Sequence, residues 1–249
     1  MRRVSLLLLL PVLASCDKLA ALTGPSGSCQ GPQAYAVGAT VTSKLGNNEC
    51  GGPGDIDGHL YAVTLTQQTN FLVTMTPSGF KGALGIWTAD GRRVFETNGS
   101  GVQSAKVFLP AGQFTIVAGR QGLEGGNYTL TTAPTSEDGS ASPPYVWTLR
   151  GAVIVGTVTA TDRAGNLGAR WDGYDLVMQA GESITVTATM AQGGTINAGP
   201  NQGTGVEKVV PKGGSATITY TAASASNCCI VRVFGQPPWL PNNYTVSIN

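Results

Sequence analysis

Apolar and polar residues alternate one by one along much of the chain. The alternation is clear at 61–65, 184–188 and 244–248, where apolar residues are separated by alanine, threonine or serine. A period of two is typical of a β-strand that buries one face and exposes the other to water. No window has the period of a long amphipathic helix, and turn sequences such as Asp90-Gly91 and Ala111-Gly112 separate the strands. The pattern predicts an all-β protein built from short antiparallel strands.

The same landmarks occur twice, at separations of between 115 and 118 residues. Each copy has a glycine-led first strand, an Asp-Gly pair followed by strand residues, and a closing Asn-Tyr-Thr strand. The matching residues are Gly38 and Gly156, Asp57 and Asp172, and Tyr128 and Tyr244. We therefore predict two antiparallel β-sandwich domains in tandem, at 35–133 and 145–249. A linker at 134–144, rich in small, polar and proline residues, joins them.

The first sixteen residues have the layout of an export signal. Arg2 and Arg3 precede an apolar stretch that is too short to span a bilayer, which takes ~20 apolar residues. The sequence LASC at 13–16 resembles a bacterial lipobox. That resemblance implies that residues 1–15 are a signal peptide, that Cys16 is lipidated, and that 16–34 form a tether to a bacterial membrane. A plain secretory signal with a chance cysteine is the alternative.

Charge and composition limit the choice of partner. Without Arg2 and Arg3 the chain has 13 basic and 14 acidic side chains, so the mature part is close to neutral. Nucleic acid binding needs concentrated lysine and arginine, so no nucleic acid partner is expected. The 35 glycines and the low charged fraction of 12% suit a secreted β-protein with many turns.

The order of segments in the first copy resembles a known family. The Asp-Gly strand is followed by the sequences LGIWTADGRRV, LPAGQFTIVAG and GGNYTLTT. This order is similar to the bacterial pre-peptidase C-terminal domain, a jelly-roll-like sandwich often appended to secreted proteases. The resemblance covers residues 37–132 and, more loosely, 153–249. It implies an accessory module for secretion, for substrate or surface binding, or for stability, and it implies no chemistry.

The strongest candidate for a metal site lies at the start of one predicted strand. Asp55 and Asp57 flank a tight turn near Asn47, Asn48 and Glu49, and these hard oxygen donors favour calcium. A turn held by Asx hydrogen bonds is the commoner explanation of such a sequence. His59 follows directly and could take part in a softer metal site. No cofactor is predicted, although calcium or another metal could bind here.

Catalytic machinery is sparse. His59 is the only histidine, no Gly-x-Ser-x-Gly element occurs, and cysteine and histidine are not grouped as zinc ligands. We therefore expect no enzyme. Among the tryptophans, Trp239 stands in the proline-rich loop QPPWLP at 236–241 and is the best candidate for a binding residue.

Four cysteines remain after Cys16, in an exported and oxidising compartment. Cys29 and Cys50 flank the opening of the first sandwich, and we predict a disulfide between them. Cys228 and Cys229 are adjacent, and neighbours on a strand point to opposite faces. They form either a strained vicinal pair or two thiols of which one is buried.

These features together predict a membrane-anchored lipoprotein of the cell envelope, facing the periplasm or the exterior. Its expected role is non-catalytic binding or support of another envelope component, such as an envelope or surface-layer protein or a glycan. The alternative is a metal-dependent envelope enzyme or a metal-binding redox protein that uses the region from Asp57 to His59.

Overall fold

The computed structural model describes residues 31–46, 49, 51–135, 146–164, 168–200, 205–224 and 226–249. Strands make up 65% of the structure and helices 2%, which confirms the predicted all-β class. A short 3-10 turn, Pro53–Asp55, lies between two of the strands. Within the ranges given above, no helix is long and apolar enough to cross a membrane.

The first copy folds as a sandwich of two sheets. Its strands are β1 (Gln33–Ala34), β2 (Thr40–Lys44), β3 (Asp57–Leu65), β4 (Thr69–Pro77), β5 (Lys81–Thr88), β6 (Arg93–Ser100), β7 (Gln103–Leu109), β8 (Gly112–Arg120) and β9 (Asn127–Pro134). They pair in the orders β1-β3-β8-β5-β6 and β2-β9-β4-β7. Because side chains alternate across a strand, every second residue faces the space between the sheets. Tyr61, Val63 and Phe71 are among those buried there, and the loss of apolar surface to water stabilises the sandwich.

The second copy repeats this arrangement strand for strand. Its strands are β10 (Val146–Thr148), β11 (Ala152–Val158), β12 (Arg163–Ala164), β13 (Arg170–Met178), β14 (Ser183–Met190), β15 (Gly194–Pro200), β16 (Val206–Val210), β17 (Ser215–Thr221), β18 (Ser226–Gly235) and β19 (Asn242–Ile248). They pair in the orders β10-β13-β18-β15-β16 and β11-β19-β14-β17, and β12 adds a short strand beside β13. The internal repeat of the sequence is therefore also a repeat of topology.

The two sandwiches share a sheet, which the prediction of tandem domains did not include. Strand β10 lies parallel to β13 of its own copy and parallel to β7 of the first copy. The result is one ten-stranded sheet that runs through both halves. Val146 belongs to the core of the second sandwich, whereas Trp147 packs against the core of the first. Three residues of β10 thus link the two cores.

Two side-chain contacts reinforce this junction. The Gln68 carboxamide accepts a hydrogen bond from the Val153 N–H at 2.7 Å and donates one to the Val153 carbonyl at 2.5 Å. Arg92 of the first copy forms an ion pair with Glu182 of the second, and Arg150 lies 3.1 Å from the same carboxylate. Most of the predicted linker, residues 136–144, lies outside the described residues, so its exact bounds stay a prediction.

Candidate functional site

Asp57 and His59 of the predicted metal site contact charged side chains of the protein. Asp55 ends the 3-10 turn with a φ of 59°. Asp57 Oδ2 lies 3.8 Å from Arg120 Nη2, and His59 Nε2 lies 3.1 Å from Glu49 Oε2. In the described part of the chain, no group of three or more His, Cys, Asp or Glu side chains is placed to hold a metal ion. Asn47 and Asn48 lie outside the described residues, so calcium binding stays a prediction.

His59 belongs to a hydrogen-bonded chain that enters the first core. Its Nδ1 lies 2.7 Å from the Tyr128 hydroxyl, which lies 2.6 Å from the Tyr61 hydroxyl. Glu49 contacts the opposite ring nitrogen, so the order is carboxylate, imidazole, phenol, phenol. His59 and Tyr128 are separate landmarks in the sequence, and their contact was not predicted from it.

The second copy contains the counterpart of this chain. The Tyr244 hydroxyl donates to Asp172 Oδ2 at 2.8 Å and is hydrogen-bonded to the Tyr174 hydroxyl. Asp172 therefore occupies the place of His59, and Tyr174 occupies the place of Tyr61. The alignment of Asp57 with Asp172 was wrong by two residues. A shift of two along a strand keeps each side chain on the same face, so alternation alone cannot detect it.

The tyrosines of both hydrogen-bonded networks are buried, and burial changes their acidity. Burial, followed by the neighbouring Tyr61, raises the pKa of Tyr128 far above its ordinary value. Burial and then the Tyr174 hydroxyl do the same to the pKa of Tyr244. Phenols with such pKa values stay protonated, and a buried hydroxyl that is already hydrogen-bonded is out of reach of a substrate. We conclude that these networks tie β3 to β9 and β13 to β19.

The structure describes only one of the predicted cysteine side chains, that of Cys229. Cys16, Cys29 and Cys50 lie outside the described residues, as does the side chain of Cys228. Cys229 is buried in the second core. Lipidation, the Cys29 to Cys50 disulfide and the state of the adjacent pair stay predictions.

The four tryptophans differ sharply in exposure. Trp87 and Trp171 are buried, and Trp147 packs near the Phe95 ring at a centroid distance of 6.3 Å. Trp239, the predicted binding residue, is 58% exposed. It lies in the turn after β18, where its backbone N–H donates to the Gln236 carbonyl at 3.0 Å. An exposed indole on a defined turn is an available contact surface.

The strands β10, β13, β18, β15 and β16 have an outer face that points away from the core of the second sandwich. Trp239 lies at the margin of this outer face. Residues directly opposite on neighbouring strands share a face, so the strand registers define two rows of side chains on it. The rows are Trp171, Phe234, Thr195 and Val209, and next to it Gly173, Arg232, Asn197 and Glu207. These residues alternate with the core residues of the same strands. The outer face is thus mixed aromatic and polar.

Strand β6 covers one side of this outer face and leaves the other side open. It lies beside β13, where Asp175 is 8% exposed. Burial raises the pKa of Asp175 to about 7, and the Arg232 guanidinium works in the opposite direction. Arg232 lies 5.5 Å from the Trp171 ring centroid and donates to Asn197 Oδ1 at 3.0 Å. These contacts form a polar and aromatic cluster on the outer face.

The open side contains two adjoining hollows. The larger has a volume of about 370 Å³ and is lined by Trp239, Val209, Lys212 and the turn at 192–194. The smaller has a volume of about 220 Å³ and is lined by Phe234, Glu207 and Ala169. Thr195 and Gln236 line both. We call the two hollows together the Trp239 groove.

Trp239 was predicted from the sequence as a binding residue, whereas the rest of this groove was not predicted. The rigid loop with an apolar residue between prolines was the signal that identified the tryptophan. Thr195, Val209 and Gln236 have no unusual sequence context. They meet only because β15, β16 and β18 are neighbours in the sheet.

Known structures resemble this chain only distantly. No family model and no curated protein sequence matches the chain. The pre-peptidase C-terminal domain of a collagenase from Bacillus anthracis is 11% identical with a TM-score of 0.36, over 43% of this chain and 99% of that domain. The PBSX exported protein XepA is 11% identical with a TM-score of 0.23, over 83% of this chain and 86% of that protein.

Proposed function

We propose that this protein is a lipid-anchored component of the bacterial cell envelope that binds another envelope component and catalyses no reaction. The observation that carries the binding role is the open side of the outer face, where Trp239 is 58% exposed beside the Trp239 groove. Tryptophan is enriched among the residues that dominate binding energy. A large aromatic surface in water is otherwise unfavourable, so its exposure on a proline-flanked turn favours a partner.

The segment that precedes the first sandwich supports the lipid anchor. The run LASC at 13–16 follows an apolar stretch and resembles a lipobox. Several acyl chains give durable attachment, at ~0.8 kcal/mol for each buried CH₂ group. A tether formed by the residues between Cys16 and β1 would leave both sandwiches outside the bilayer. The binding groove would then be presented to other molecules of the envelope.

The rigid junction between the halves supports a scaffold that holds one shape. Strand β10, the Gln68 contact with Val153 and the ion pair of Arg92 with Glu182 all act across the junction. Preorganised surfaces lose less conformational entropy on binding. The alternative of a metal-dependent enzyme is the weaker proposal, because Asp57 and His59 contact Arg120 and Glu49 within the protein.

Affinity capture from native membranes tests the proposal. The lipidated chain, tagged at its C-terminus, should retain a defined envelope protein or glycan in stoichiometric amount. A chain purified under the same conditions that retains nothing would contradict the binding role. Elemental analysis of the same preparation tests the alternative, since a stoichiometric transition metal would favour it over our proposal.

A further inference from the structure

We infer that the Trp239 groove binds a glycan chain. This inference rests on the proposed function and names the ligand class of the same site. The groove combines an exposed indole with hydrogen-bonding side chains, and it is held open by buried polar contacts. Each of these properties follows from described residues.

The surface chemistry of the groove matches that of a sugar ring. A pyranose has an apolar face of C–H groups and a rim of hydroxyls that both donate and accept hydrogen bonds. Trp239 offers a flat apolar face, and Thr195 and Gln236 offer both donors and acceptors. Lys212 adds a donor at one end, and Glu207 adds an acceptor at the other.

The shape of the groove favours a chain over a single small molecule. Its two hollows adjoin and share Thr195 and Gln236, so a ligand in one can continue into the other. Both hollows are open to solvent rather than enclosed. Sites for small apolar ligands bury most of the ligand surface. An elongated hydrophilic ligand loses little by remaining partly in water.

Charge and size argue against other classes of ligand. One lysine and one glutamate at opposite ends do not form the concentrated positive charge that phosphate groups need. A stable protein interface buries about 800 Å² on each partner. Beyond the groove the outer face is covered on one side by β6. The exposed surface is therefore better matched to a narrow chain than to a broad protein surface.

A buried amide sets the shape of the groove before any ligand arrives. Asn242 is 1% exposed, and its Nδ2 donates to the Gly193 carbonyl at 2.6 Å while its Oδ1 accepts from the Gln192 N–H at 2.9 Å. Asn242 follows the loop that carries Trp239, so these two bonds fix that loop against the opposite wall. Gly193 has a φ of 75°, a conformation that favours glycine. Both walls are thus preorganised.

Sedimentation with insoluble glycans tests the inference. The purified full chain is incubated with chitin, cellulose and peptidoglycan sacculi in parallel, and the bound fraction is measured against glycan concentration. We expect at least one glycan to bind the wild type, and Trp239→Ala to weaken that binding by about tenfold or more. Trp239→Phe should retain part of the affinity because it keeps an aromatic face. The comparison among the three glycans identifies the source of the sugar.

Two controls separate loss of the site from loss of the fold. Leu123→Ala removes a side chain of the first copy that is 84% exposed and does not line the groove, so this variant should bind like the wild type. Acrylamide quenching of tryptophan fluorescence gives an independent readout. Trp239 is the exposed tryptophan, so bound glycan should protect it and reduce quenching. Trp239→Ala should remove this protectable fluorescence and leave the melting temperature unchanged.

The inference is overturned if none of the three glycans binds, or if Trp239→Ala binds as tightly as the wild type. Membrane capture distinguishes these failures from failure of the proposed function. Capture of an envelope protein through Trp239, without glycan binding, would leave the proposed function intact and replace the glycan with a protein. Absence of both capture and glycan binding would refute both proposals.

Discussion

Asp175 makes the stability of the protein depend on pH in a way that can be measured. The carboxyl group is almost completely buried on β13, at the junction between the two copies. On the neighbouring strands it lies opposite Ile230 of β18 and Trp147 of β10. Burial raises its pKa from 3.8 to about 7, although the Arg232 guanidinium works against the shift. Folding therefore favours the protonated carboxyl group.

The sign of the effect follows from the direction of this shift. The folded pKa lies above the unfolded pKa, so the stabilising contribution is complete below pH 4 and is lost as pH rises through 7. A difference of about three pKa units corresponds to roughly 4 kcal/mol, at 1.36 kcal/mol for each unit. Domains are commonly stable by about 5–15 kcal/mol, so even half of this change would be visible.

Asp175→Asn should remove this dependence, because the amide has nearly the same shape and does not ionise. Urea unfolding at pH 4, 5, 6 and 7 gives the free energy of unfolding for each protein. Stability of the wild type relative to the variant should fall steadily between pH 4 and 7. Glu207→Gln, a change at an exposed acid of the same sheet, is the matched control and should run parallel to the wild type. A constant difference between wild type and Asp175→Asn across this range would refute the reasoning.

Three further predictions concern the anchor, the junction and the core. Cys16→Ser should leave an unprocessed precursor without lipid, and mature protein that still partitions into detergent would contradict the lipobox. Proteolytic nicking within 136–145 should give two fragments that co-elute in size-exclusion chromatography, because β10 pairs with β7; fragments that separate without denaturant would show that the junction is weak. Tyr128→Phe should lower the free energy of unfolding by about 1–3 kcal/mol, since Tyr61 and His59 lose a buried partner. An unchanged urea midpoint would assign that network no role in stability.

The order of residues by itself determined the class of this fold and its internal repeat. Alternation reports local side-chain direction, which is why 61–65 and 244–248 could be identified as strands with one buried face. Tyr128 and Tyr244 were recognisable as equivalent because each follows a glycine-rich or asparagine-rich turn at the start of the closing strand. The exposed position of Trp239 was also predictable, since prolines on both sides keep that segment out of a sheet.

Tertiary structure alone decided the register of the repeat, the junction and the groove. The alignment of Asp57 with Asp172 would match His59 with Tyr174, whereas the structure matches His59 with Asp172. Register depends on hydrogen bonds between distant strands, and a shift of two residues leaves the pattern of buried and exposed faces unchanged. Strand β10 is only three residues long, so its pairing with both copies has no signal in the local sequence. The Trp239 groove joins 192–195, 207–212 and 236–239, segments that are separate along the chain and become neighbours through the order of β15, β16 and β18. Contacts of this kind depend on which strands are adjacent in the sheet, and alternation within a single strand does not encode that order.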